Sequence, residues 1–196
     1  MTSLRNKPEP QRTSEDLALD AARESILSVG WSRTTLTDVA RRAGLSRMTL
    51  YRRWPEMNAL LGDLMTREWS GLVDLGPRAA NHRERLVAGI VGTVRSLRGN
   101  ELFNRIVELD PEMLLPYLLR RAGRSQELVL ALLVAEIRAG QDAGEIRGAD
   151  PEVLARSLLL AAHGFTLSMQ TMTGDSLAEA AFESALSELV ERYLQP

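Results

Sequence analysis

A chain of 196 residues, 44% hydrophobic and 26% charged, can bury one sizeable core or join a small domain to a larger one, but it is too short for three. It contains no cysteine, which excludes disulfide frameworks, thiolate zinc sites and thiol catalysis together. The formal net charge is only −2, yet between Trp31 and Pro55 six arginines stand against Asp38 alone, so a basic module of net +5 sits on an otherwise acidic chain.

The opening residues 1–14 lack apolar periodicity and hold Arg5, Lys7, Pro8, Pro10 and Arg12. They read as a mobile arm, either a plain solvated tail or a cationic strand able to reach a DNA minor groove. The first eleven residues are polar, unlike a secretory leader, and no apolar run approaches the roughly 20 residues of a membrane span, so a cytoplasmic protein is expected.

From Leu17 to Val29, apolar residues recur at helical spacing, with Ser14 as the expected N-cap and Gly30 as the stop. Thr35-Leu36-Thr37-Asp38 has capping-box spacing and opens a short second helix that ends at Ala43-Gly44. Gly44 allows a left-handed reversal, and Ser46 follows at once as the cap of a third helix, which Pro55 stops near Trp54. A fourth helix is expected from Met57 to Leu75, ending at Gly76-Pro77. Downstream, Leu- and Ala-rich segments at 86–97, 102–109, 112–119, 128–139, 153–172 and 177–194 also read as helices, and no strand pattern appears. The fold class expected is all-α, with about nine helices.

The stretch from Thr35 to Trp54 contains what a helix-turn-helix needs: a support helix, a tight turn and a second helix exposed enough to enter a major groove. At about 100° per residue, Leu50 and Trp54 share one side of the third helix, while Met48, Tyr51 and Arg52 occupy another. The sequence TTLTDVARRAGLSRMTLYRRWPEMNALL resembles the signature of the tetracycline-repressor (TetR) family almost position by position. The resemblance is strong over about residues 15–65. One departure is Met57, where the family commonly starts its fourth helix with a phosphate-binding lysine.

The resemblance implies a helix-turn-helix domain at 15–56 that binds double-stranded DNA, followed by a helical ligand-binding and dimerisation domain at 57–196. Arg47, Met48, Thr49 and Arg52 are then expected at base edges, since an arginine can hold guanine through two parallel hydrogen bonds. Tyr51 and Arg53 are expected at bases or phosphates, with partial packing on the first helix as the other role for Tyr51. Thr35 and Thr37 are expected to grip phosphate. Arg41 and Arg42 read better as a solvated face.

In the family resembled, the last two long helices pair with those of a second subunit. Here 151–194 would form that homodimer, presenting two reading heads to a palindromic operator. A pocket for a small-molecule effector of unknown identity is also implied. Its expected lining is Trp69, Phe103, Met113, Tyr117, His163, Phe165 and Met169, and the low aromatic content argues against a cage for a flat cationic drug. No metal or cofactor is expected. Two histidines, no Gly-rich phosphate loop and no Gly-x-Ser-x-Gly elbow leave little catalytic material. The competing readings are a ligand-responsive repressor and a helical protein-interaction module that has lost DNA binding; only Met57 favours the second.

Overall fold

The computed structural model describes residues 12–71, 80–120, 122–174 and 177–196. Among these are ten α-helices: α1 Ser14–Val29, α2 Leu36–Arg42, α3 Arg47–Arg53, α4 Met57–Ser70, α5 His82–Arg98, α6 Glu101–Leu109, α7 Leu115–Leu119, α8 Arg124–Asp142, α9 Pro151–Met172 and α10 Glu179–Leu194. A 3-10 turn at Pro111–Met113 and an isolated bridge between Gly174 and Leu177 complete the regular structure of the described residues. None of these helices is long and apolar enough to cross a membrane.

Several helix boundaries differ from those expected, each for a local reason. Thr13, not Ser14, caps α1: its hydroxyl accepts from the Asp16 amide at 3.1 Å while the Asp16 carboxylate accepts from the Thr13 amide at 3.0 Å. Arg12 to Ser14 therefore belong to the start of α1 rather than to an arm, and Arg12 pairs with Asp20; residues 1–11 lie outside the described residues. Helix α4 closes at Ser70 with Gly71 as its C-cap, short of Leu75, and the expected Gly76-Pro77 stop lies outside the described residues. The expected helix at 112–119 is split into the 3-10 turn and α7, because Pro111 and Pro116 each open a new helical start where a missing N–H is tolerated. The last helix begins at Glu179 rather than Leu177, whose backbone is taken up by the bridge to Gly174.

The helices share two apolar cores. The first joins α1, α2, α3, α4 and α6 through Ala22, Ile26, Val39, Leu50, Leu60, Leu64, Leu102 and Ile106, all nearly inaccessible. The second joins α5, α8, α9 and α10 through Leu86, Ile137, Leu154, Leu186 and Leu194. Ion pairs along one side of α10 fasten it to α5: Arg83 to Glu191 at 2.9 Å, Arg95 to Glu183 at 2.6 Å, and Arg98 to Glu179. The opposite side is left outward, and with it an apolar strip of α9 that includes Val153 and Leu160, the latter 70% exposed.

Candidate nucleic-acid interface

The reading head is built by local chemistry first. The Thr35 hydroxyl accepts from the Asp38 amide at 3.2 Å and donates to the Asp38 carboxylate at 2.6 Å, starting α2. The bond that the Thr35 hydroxyl donates holds the Asp38 carboxyl below its usual range, with the Arg41 guanidinium adding to the effect. Gly44 then adopts φ +67°, in the left-handed region where a side chain would be strained, and the chain reverses. Ser46 caps α3 by accepting from the Thr49 amide at 3.1 Å. Trp54 ends α3 in extended geometry immediately before Pro55.

Packing then fixes which face of α3 looks outward. Leu50 and Trp54 are buried, 1% and 3% exposed, against the first core, so the arc opposite them must face solvent. Met48 is 80% exposed and Tyr51 46%, while Arg47 and Arg52 are exposed and form no ion pair among the described residues. Such exposure of a methionine and a tyrosine on a well-anchored helix is what a base-reading surface requires. The helical spacing groups Met48, Tyr51 and Arg52 on one arc, and all three are exposed, as is Arg47.

The remaining candidates are differently engaged. The hydroxyls of Thr35 and Thr49 are committed to the caps of their own helices, Thr49 lying 2.8 Å from Ser46 Oγ. Thr37 is half-buried in the first turn of α2. Arg53 is tied sideways: its guanidinium donates to both Glu15 oxygens at 3.3 and 3.0 Å, lies 3.7 Å from Asp63 and stacks 5.5 Å over the Trp54 ring. It fastens α3 to α1 in this state rather than projecting toward a duplex. Arg41 and Arg42 pair with Asp38 and Glu24, in keeping with a solvated face. Met57 packs half-buried on the first core at the start of α4, so hydrophobic burial takes the place of the family's lysine.

Three residues missed by sequence reasoning position or extend this surface. Arg33 is exposed beside α2 and forms no ion pair among the described residues; the arginine count of the window already contained it. Asp63 on α4, its side chain only 11% exposed, accepts from Trp54 Nε1 at 2.8 Å and from Arg124 at 2.6 Å. A buried indole N–H needs an acceptor, and that requirement was the only signal pointing toward it. Asp110, 1% exposed at the end of α6, accepts from the backbone amides of Trp31 at 2.6 Å and Ser32 at 3.1 Å. Burial alone would raise its carboxyl, but hydrogen bonds from Ser32 and Trp31 and the charge of Arg33 outweigh burial and hold it below its ordinary value. Gly30 passes close enough at φ +89° that a Cβ would lie 3.0 Å from Asp110 Oδ2, so this clamp needs glycine.

A second site lies behind the head. A cavity of about 190 Å³ opens among α4, α5, α6, α7, α8 and α9, walled mostly by apolar side chains. Of the expected lining residues, Trp69, Phe103, Tyr117 and His163 are in its wall. Met113, Phe165 and Met169 are not: Met113 packs on the first core, and Phe165 and Met169 pack into the second. His163 is held neutral, its pKa lowered by burial.

These features are matched by comparison with known proteins. Residues 18–64 match the family described as bacterial regulatory proteins, tetR family. The chain is 32% identical over 176 residues to an uncharacterized HTH-type transcriptional regulator of Mycobacterium tuberculosis strain H37Rv, covering 90% of this chain and 92% of that one. It is similar in fold to the R. erythropolis repressor QsdR, with a TM-score of 0.67 at 17% identity over 93% of this chain and 96% of that one. It is also similar to FadR from Bacillus subtilis, solved in complex with stearoyl-CoA, with a TM-score of 0.63 at 19% identity over 91% and 98%. An outward basic helix on a buried Leu50–Trp54 anchor and relatedness along nearly the whole chain lead to one conclusion: this protein belongs to the TetR family of DNA-binding, helix-turn-helix transcription regulators.

Proposed function

We propose that the protein is a ligand-responsive repressor acting as a homodimer on a palindromic operator. The observation that carries this reading is the pair Arg47 and Arg52, exposed and without an ion pair among the described residues, flanking Met48 and Tyr51 on α3. Arg47 and Arg52 read guanines, Met48 meets a thymine methyl, and Tyr51 reaches a base or phosphate. Thr37, Thr49, Thr35 and Arg53 lie at the edge of the footprint, and Arg53 reaches phosphate only by leaving Glu15. Functionally the chain divides at 15–56 and 57–196, although α4 and α6 contribute to the same core as the head. It works in the cytoplasm, with no catalytic step.

Dimerisation runs through 151–194. At 100° per residue, Val153, Leu160 and Gly164 fall within about 40° of each other on α9. Ala181, Ala185 and Leu189 follow at four-residue intervals on α10, all of them exposed. Small residues between larger ones let two copies approach closely as a four-helix bundle. The cavity is the effector site, as the stearoyl-CoA complex of FadR supports for this fold. Effector binding shifts the dimer toward a head spacing that cannot engage both half-sites.

Operator sequences selected from random duplexes provide the test. Wild type is expected to bind in a salt-dependent mobility shift and to sediment as two chains. Leu160→Glu together with Leu189→Glu is expected to sediment as one chain and to lose most operator affinity. Binding that persists unchanged in that monomer would sink the dimer reading. A wild type indifferent to every duplex at low salt would favour a protein-interaction module instead.

A further inference from the structure

The cavity wall carries few polar groups, and their state limits what can enter. Trp69 Nε1 is buried and has no hydrogen-bond partner among the described residues, a costly arrangement for an indole N–H. His163 Nε2 lies 3.3 Å from the Gln126 side-chain nitrogen, whose oxygen is already fixed by the Gly123 amide at 2.6 Å. An amide nitrogen only donates, so His163 Nε2 accepts and the ring is neutral. Among the described residues of the wall Arg124 is the charged one, and its Nη1 donates to Asp63 at 2.6 Å. An incoming anion would meet a cation already neutralised, with a carboxylate directly behind it. An incoming cation would find no acidic side chain among the described residues of the wall.

Size narrows the class further. A dry apolar cavity of about 150 Å³ holds a benzene ring, so the roughly 190 Å³ here leaves room for one ring with a short substituent. Trp69 and Phe103 stand edge to face, ring centroids 6.0 Å apart, and offer an aromatic wall to such a molecule. Taking the cavity as the effector site, on which this inference rests, we propose that it takes an uncharged, largely apolar molecule of single-ring size. That molecule presents one hydrogen-bond acceptor, such as a carbonyl or ether oxygen, to the indole N–H of Trp69, which a small turn of the ring must first bring to the cavity surface.

Four probes of equal heavy-atom count separate the alternatives: acetophenone, cumene, benzoate and the α-methylbenzylammonium ion. Each is titrated into the full chain by NMR, following the Trp69 indole N–H resonance, assigned by Trp69→Phe. Acetophenone is expected to bind about five-fold tighter than cumene, the factor one hydrogen bond provides. Both ions are expected at least about ten-fold weaker than acetophenone, because a charge would enter without a partner. Trp69→Phe is expected to bring acetophenone down to the level of cumene and leave cumene within about two-fold, which a merely structural role for Trp69 would not do. Filling the cavity with Ala162→Leu is expected to weaken all binding. The proposal is overturned if benzoate or the ammonium ion binds best, if acetophenone and cumene are equal in the wild type, or if none of the four binds. Operator affinity measured in parallel keeps the two readings apart: the expected preference with no change in operator affinity leaves the ligand class standing and removes the effector role.

Discussion

Helix α3 and the cavity behind it are made in opposite ways. Helix α3 is seven residues long, begins at a serine, ends at a proline and is anchored by two side chains, Leu50 and Trp54. The residues that start, turn and stop it lie within about twenty positions, and its two anchors meet a core supplied by α1, α4 and α6. The cavity draws its wall from every helix between α4 and α9, segments up to about a hundred residues apart, and no single element determines its shape. A surface specified locally is rigid and tolerates change elsewhere in the chain. A hollow specified by several packed helices responds when any of them shifts, which suits it to sensing.

This contrast can be broken most forcefully at Leu50. Leu50→Ala is expected to cost about 3 kcal/mol in urea unfolding, whereas Leu128→Ala in the half-open cavity wall should cost about 1 kcal/mol or less. Equal losses would mean that the head is no more tightly specified than the cavity. Next come Arg47→Ala and Arg52→Ala, each expected to weaken specific operator binding by about 1–3 kcal/mol with unfolding midpoints unchanged. A loss spread evenly over all duplexes would reassign either one to phosphate.

Asp63→Asn tests whether the two regions are independent, since its carboxylate serves both Trp54 and Arg124. A stability loss of about 1–2 kcal/mol is expected, and a cycle of Trp54→Phe with Arg124→Ala should depart from additivity by at least about 0.5 kcal/mol in operator affinity. Strict additivity would uncouple cavity from head. The smallest effect is a pH dependence at His163. Burial lowers its pKa from the ordinary 6.5, so the unfolded chain takes up the proton first as pH falls. The stability this neutral histidine contributes is full above about pH 6.5 and declines below it until the folded pKa is passed. His163→Gln is expected to flatten stability below about pH 6.5, measured by urea unfolding at each pH.

The legible parts of the molecule were those with short-range causes. Thr35, Gly44, Ser46 and Pro55 each act on neighbours within four residues, and each is found in its expected role. The misplaced cap of α1 was also a local matter: Thr13 and Asp16 stand at box spacing, and Ser14 has no such partner. Three of the seven expected cavity residues lie elsewhere for a different reason. Met113, Phe165 and Met169 are apolar residues of the right kind, but each turns toward a neighbouring helix, and one sequence does not reveal which face of a buried helix meets a gap. Asp63 and Asp110 look like ordinary solvated acids until distant donors arrive, from Trp54 and Arg124 in one case and from the Trp31–Ser32 amides in the other.

The Asp110 clamp has a mechanical corollary. It grips the main chain between α1 and α2 rather than a side chain, and a second carboxylate holds the far end of α3 from α4. With both ends pinned to separate struts, the head is not free to swivel on a hinge of its own. Any tilt of α6, whose Phe103 borders the hollow, must carry the whole three-helix unit with it, like a key turned by its bow.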